Sequence, residues 1–174
     1  MLKTAPMEYR SEIDKCYSLA GIALGLMVFD ANDLLSMVDI DSEQIALFSP
    51  QFYFEGNPRI SAKDSWQTRY TNFQIKMGLA IASTISRKMI LDHGEVDKKL
   101  RRRLLDAMLT EGNICCQLDE DEVEPLFDRE FTHLVNFFSR RNVRQVASRI
   151  AQTIQQRRTI SGGEISDMLT GLEM

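Results

Sequence analysis

The chain is poor in the side chains that build metal and redox sites. It has two histidines, His93 and His133, and three cysteines, Cys16, Cys115 and Cys116. A small, odd set of cysteines with two of them adjacent is no disulfide framework, and a reducing cytosol is its simplest setting. Long apolar runs are missing too. The most apolar stretch, residues 19–29, is too short to cross a bilayer and is followed at once by Asp30 and Asp33. The first ten residues hold no apolar core, so no signal peptide is expected there. No G-x-x-x-x-G-K-[ST] loop occurs, so no nucleotide site of that kind is expected. Positive charge is not in surplus either: the formal net charge is −4, and a nucleic-acid binder generally carries a basic excess. The expectation is a cytoplasmic protein with no membrane segment and no nucleic-acid partner.

What is present suits one globular domain, residues 1–174. Hydrophobic residues make up 44% and charged residues 26% of the chain, enough of each for a core and a solvated surface. A chain of this size buries roughly 70% of its unfolded surface, so it needs no staples.

Apolar periodicity predicts a mainly α fold of about six helices with a minor β excursion at residues 40–60. Ile13, Tyr17, Ala20, Leu24 and Met27 form one helical stripe, and Gly21 and Gly25 on that helix suggest close packing against another element. Leu34, Leu35 and Val38 continue an apolar face up to Asp39. Residues 45–48 and 52–54, set off by Ser49-Pro50 and Gly56-Asn57-Pro58, read as a short strand pair or an irregular excursion. Ser61 or Asp64 opens a long helix to about Leu91, with Trp66, Tyr70, Phe73, Met77, Ile81 and Ile85 inward. Asp97 opens the next, which Gly112-Asn113 should stop. The acidic run 119–124 with Pro125 suits a helix start, where negative charge meets the positive dipole end. A long helix carries Val143, Val146, Ile150 and Ile154, and Ser161-Gly162-Gly163-Glu164 has capping-box spacing before a short last helix.

Three local patterns carry a resemblance. The first is Tyr17-Ser18-Leu19-Ala20-Gly21-Ile22-Ala23-Leu24, where the FtsH-type AAA zinc proteases have Tyr-His-Glu-Ala-Gly-His-Ala-Leu in their peptidase domain. The second runs from Asp97 to Met108-Leu109-Thr110-Glu111-Gly112, against that family's Asp, ten residues, then Met-Val-Thr-Glu-aromatic-Gly. The third is Arg158-Thr159-Ile160-Ser161-Gly162-Gly163-Glu164-Ile165, similar to its closing Glu-Thr-Leu-(Ser/Asp)-Gly-(Glu)-Glu-Ile turn. Residues 78–83 are a weaker fourth match. In order and spacing these span about 150 residues, and over that length the chain resembles the FtsH-type peptidase domain.

The resemblance implies a zinc protease whose chemistry is gone. H-E-x-x-H works because positions i and i+4 share a helix face, so two imidazoles hold one Zn²⁺ while the Glu serves as general base. At those positions this chain has Ser18, Leu19 and Ile22, none of which can do that work at neutral pH. Asp97 occupies the place of the third ligand and, three and seven residues before Leu100 and Leu104, falls on their inward stripe. One carboxylate does not hold zinc, and Asp97 also suits a helix N-cap. No cofactor or metal is therefore expected.

Other chemistry is sparse. Glu130 and His133 have the spacing of a di-iron Glu-x-x-His pair but no second pair exists, so a surface turn is the plainer reading. Cys115-Cys116 reads as a buried pair of small thiols. Ser18 has no base near it in sequence. The arginines at 101–103, 140, 141, 144, 149, 157 and 158 read as solvated helix faces pairing with the acidic run, the alternative being a basic patch for RNA, DNA or an acidic partner. The expected function is a pseudopeptidase acting through protein binding, to copies of itself or to an active relative, as the family's six-membered rings imply. Two alternatives stand beside it: a non-zinc enzyme in the remodelled cleft near Ser18 and Asp97, and an adaptor using the aromatic segment 48–54.

Overall fold

The computed structural model describes residues 7–170. Residues 1–6, on which the signal-peptide expectation partly rests, lie outside the described residues. Among the described residues the architecture is mainly α, with six α-helices and a small three-stranded sheet. Among these residues, no helix is long and apolar enough to cross a membrane.

Helix α1 (Glu12–Val28) starts at Ser11, whose hydroxyl accepts the Asp14 N–H at 3.3 Å. It is buried on more than the expected stripe: residues 18–26 are all inaccessible, including both glycines. Helix α2 (Ala62–Ile85) and helix α5 (Arg141–Arg157) enclose it. Small residues make this possible, because they let backbones approach. A Cβ on Gly21 would stand 2.5 Å from the Ala82 carbonyl oxygen and 2.7 Å from Ser86 Cβ. The close packing expected of Gly21 and Gly25 is thus present.

Ser61 caps α2 by accepting the Asp64 N–H at 3.1 Å. The expected inward stripe holds from Phe73 onward and fails earlier, since Trp66 is 41% exposed. Its indole lies flat on Tyr70 and donates to the Cys116 carbonyl, so it covers a helix end instead of filling the core. A π-helical turn at Ser86–Leu91 prolongs α2 to the predicted end and holds Arg87 fully buried.

Helix α3 (Lys98–Cys116) does not stop at Gly112-Asn113. It continues a turn further and ends at Gln117, which takes the left-handed conformation at φ 57°. Gly112 serves packing instead: a Cβ there would meet Phe73 and Val123, both at 2.9 Å. Helix α4 (Glu120–Phe138) begins at the acidic run, with the Glu122 carboxylate accepting the Asp119 N–H at 2.9 Å. Helix α6 (Gly162–Leu169) has the expected capping box: Ser161 Oγ accepts from the Glu164 N–H, and Glu164 accepts from the Ser161 N–H.

The β structure lies only partly where expected: residues 46–48 of the expected 45–48 form a strand, but the other strands of its sheet lie outside 40–60. Leu35 and Val38 belong to strand β1 (Leu35–Asp39), which pairs antiparallel with β2 (Ala46–Phe48) on one side and β3 (Thr159–Ser161) on the other. Val38 stands opposite both Ala46 and Ile160, and all three are buried. Residues 52–54, read as half of a strand pair, begin within a 3₁₀ turn (Pro50–Tyr53). In the aromatic segment, Phe48 and Phe52 stack at 4.3 Å and are buried, so both belong to the core. A single apolar cluster links α1, the inner half of α2, α4, α5 and the sheet.

Candidate functional site

Ser18, Leu19 and Ile22 sit in the middle of α1, and each is 0% exposed. The Ser18 hydroxyl lies 2.7 Å from Ser83 Oγ and 3.3 Å from the Tyr9 hydroxyl. This is a closed chain of hydroxyls in which no imidazole or carboxylate bonds to Ser18. Activating a serine requires a base within hydrogen-bond reach, and the described residues supply none at this atom. Leu19 and Ile22 fill core space.

Asp97 is not brought to them. It is exposed and caps α3, with its carboxylate accepting the Leu100 N–H at 2.7 Å. Helical spacing placed Asp97 on the stripe of Leu100 and Leu104. At the N-cap the backbone is extended (φ −69°, ψ 164°), so the side chain turns back onto its own helix end. Glu130 pairs with Arg129, and His133 is exposed. Among the described residues, no group of three His, Cys, Asp or Glu side chains comes together as a metal site requires.

The thiols of Cys115 and Cys116 are 3.3 Å apart, with Cys116 buried and Cys115 half-buried. Burial, reinforced by the neighbouring thiol, pushes Cys115 up to about 12.

Two features escaped the sequence reading. One is a buried ion pair just N-terminal to Ser18. Arg87 Nε donates to Asp14 at 2.8 Å and a terminal nitrogen donates to its other oxygen at 2.5 Å, and both side chains are inaccessible. Arg87 also donates to the Glu8 and Met7 carbonyls at 2.7 and 3.2 Å, tying down the segment before α1. Arg10 adds a third charge by bonding both Asp14 and Asp92. Burial opposes ionisation of Asp14, but the hydrogen bonds from Arg87 and Arg10 outweigh it and hold the carboxyl well below its usual range. An arginine set among Ile81, Ile85, Met89 and Ile90 was the available signal, since a buried guanidinium needs an acid; which acid only the fold decides.

The other is an open cleft of about 680 Å³ along α5. Arg141, Arg144, Ser148 and Arg149 form one wall, and Tyr17, Ile90, Leu91 and His93 face them. Neither Ser18 nor Asp97 lines it, and no residue that lines it is acidic. Tyr17 donates to Ser148 at 3.3 Å, joining the two sides at the base. Arg144 is steadied by the Phe138 carbonyl at 3.2 Å. The arginines expected to pair as solvated faces divide in two. Arg101 pairs with Asp128, Arg157 with Glu164, and Arg158 with Asp41 and Glu12. Among the described residues, Arg141, Arg144 and Arg149 form no ion pair. No family model, no curated protein and no solved structure matches the chain.

Proposed function

We propose that this domain is a catalytically silent relative of the FtsH-type peptidase domain and works by binding protein, either copies of itself or an active relative. One observation carries the reading. The positions where the resemblance puts two zinc ligands and the general base, Ser18, Leu19 and Ile22, are sealed in the core. Their side chains spend themselves on packing and on hydroxyl bonds within the protein. A hydrolytic site must admit a scissile bond and a water, and this stretch of α1 admits neither.

Metal content by mass spectrometry, run with a casein cleavage assay and light scattering, tests the proposal. The expected result is zinc far below one per chain, intact casein, and either a self-assembled species or a complex with an active relative. One chelatable zinc per chain with casein cleavage would sink the silent-enzyme reading. A strict monomer that takes up no such relative would sink the binding reading.

A further inference from the structure

We infer that the cleft along α5 is a docking groove for an acidic peptide segment, rich in Asp or Glu, of a partner protein. The inference rests on the reading that this domain works by binding, and it names where the contact is made and with what chemistry.

Charge comes first. The chain as a whole is acidic, with a net charge of −4, yet this cleft presents three arginines and a histidine and no carboxylate. Arginines elsewhere at the surface, such as Arg101, Arg157 and Arg158, are neutralised by neighbouring acids. A guanidinium is a planar fork of donors that matches a carboxylate bidentately, so three unneutralised forks in one cleft form a receptor for carboxylates.

Shape comes second. From Arg141 to Gln152 the wall runs three turns of α5, about 16 Å at the helical rise, which spans about five extended residues. A cleft of about 680 Å³ is of the size that holds a ligand and not a single ion. The cationic positions are spread along this length, as side chains from one face of an extended peptide would need. Gln145, Ser148 and Gln152 lie among them and both donate and accept, as a peptide backbone requires. Ile90 and Leu91 give an apolar floor for the methylenes of Glu side chains.

A single-stranded nucleic acid is the less fitting occupant. The one aromatic ring lining the cleft is Tyr17, and its hydroxyl is tied to Ser148, so no platform exists for successive bases.

The test is an anisotropy titration of the whole chain with labelled hexaglutamate, beside labelled hexalysine and a six-residue oligo-thymidylate, with inorganic phosphate as competitor. Hexaglutamate is expected to bind saturably, to weaken as salt is raised, and to be recovered uncut. Charge reversal in Arg141→Glu/Arg149→Glu should weaken binding roughly tenfold or more. The milder Arg141→Gln/Arg149→Gln should weaken it less and keeps the test open if the reversed variant misfolds. Arg69→Ala, on α2 away from the cleft, should bind like the parent. A flat titration, binding unchanged in both double variants, equal binding of oligo-thymidylate, or displacement by millimolar phosphate would each overturn the inference. Failure here leaves the metal and casein results as they stand, and an active zinc enzyme would leave this titration as it stands, so the two can fail separately.

Discussion

Arg87 and Asp14 meet in the core across 73 residues of chain, with two hydrogen bonds of 2.8 and 2.5 Å and no exposure of either side chain. Such a pair adds little over a well-packed apolar pair, because desolvating two charges offsets most of their attraction. Losing Arg87 is another matter, since the buried Asp14 carboxylate then keeps only the half-exposed Arg10 as a charged partner. Arg87→Met is therefore expected to destabilise the fold by about 3–5 kcal/mol, and Asp14→Leu/Arg87→Met by clearly less than the sum of the single changes. Urea denaturation of the four proteins measures this. Additive losses would show that the two residues do not act as a pair.

The same pair sets an acid limit. Asp14 has its folded pKa depressed, so its contribution is fully present above the unfolded value of about 3.9 and is lost as pH falls through the folded value. Stability should begin to drop below about pH 4–5. The drop should be shallower in Asp14→Asn, whose side chain does not titrate. Equal slopes in urea melts at several acid pH values would place the acid sensitivity elsewhere.

Closer than Gly25 one turn on, Gly21 stands at a close approach of α1 and α2. A methyl group there meets the backbone carbonyl of Ala82, which cannot rotate away as a flexible side chain could. Gly21→Ala should cost about 1–3 kcal/mol by overpacking. Gly163→Ala, where a Cβ meets nothing within 4 Å, should be neutral or gain a few tenths of a kcal/mol from helix propensity. Thermal melts of the two variants should separate in opposite directions.

Ser18 is expected not to react with a fluorophosphonate probe, because it is inaccessible and its partners among the described residues are the hydroxyls of Ser83 and Tyr9, neither of them a base. Labelling mapped to Ser18 by peptide mass spectrometry would favour the enzyme reading over the silent one. Ser18→Ala should cost about 1 kcal/mol, the net worth of a buried hydroxyl bond.

Alkylation of the native protein by iodoacetamide at pH 8 should be slow at all three cysteines. Burial pushes Cys16 up to about 11 and Cys115 up to about 12, so thiolate is scarce, and Cys116 is buried. Unfolding in guanidinium should make all three react at once. Fast native labelling at Cys115 or Cys116 would mean that the end of α3 opens readily, and at Cys16 that α1 does.

The sequence by itself determined the helices and most of their ends. Local chemistry is enough for that: Ser61, Asp97 and Ser161 carry their capping function in their own side chains, and apolar spacing marks where α5 faces inward. It failed at Gly112, where a local stop signal competes with a packing demand from Phe73 and Val123 that sequence spacing does not reveal. It failed at β1 because that strand pairs along one edge with residues at least 120 positions away. The losses at Ser18, Leu19 and Ile22 were legible as chemistry, since the residue types alone exclude a zinc grip. That these positions are sealed, that Asp97 turns to its own helix end, and that Arg87 finds Asp14 were decided only when the chain closed. The arginine cleft belongs to the same class. Arg141, Arg144 and Arg149 read as one more solvated face until the tertiary structure set the turn around Ile90 and His93 opposite them and, among the described residues, left all three without an ion pair.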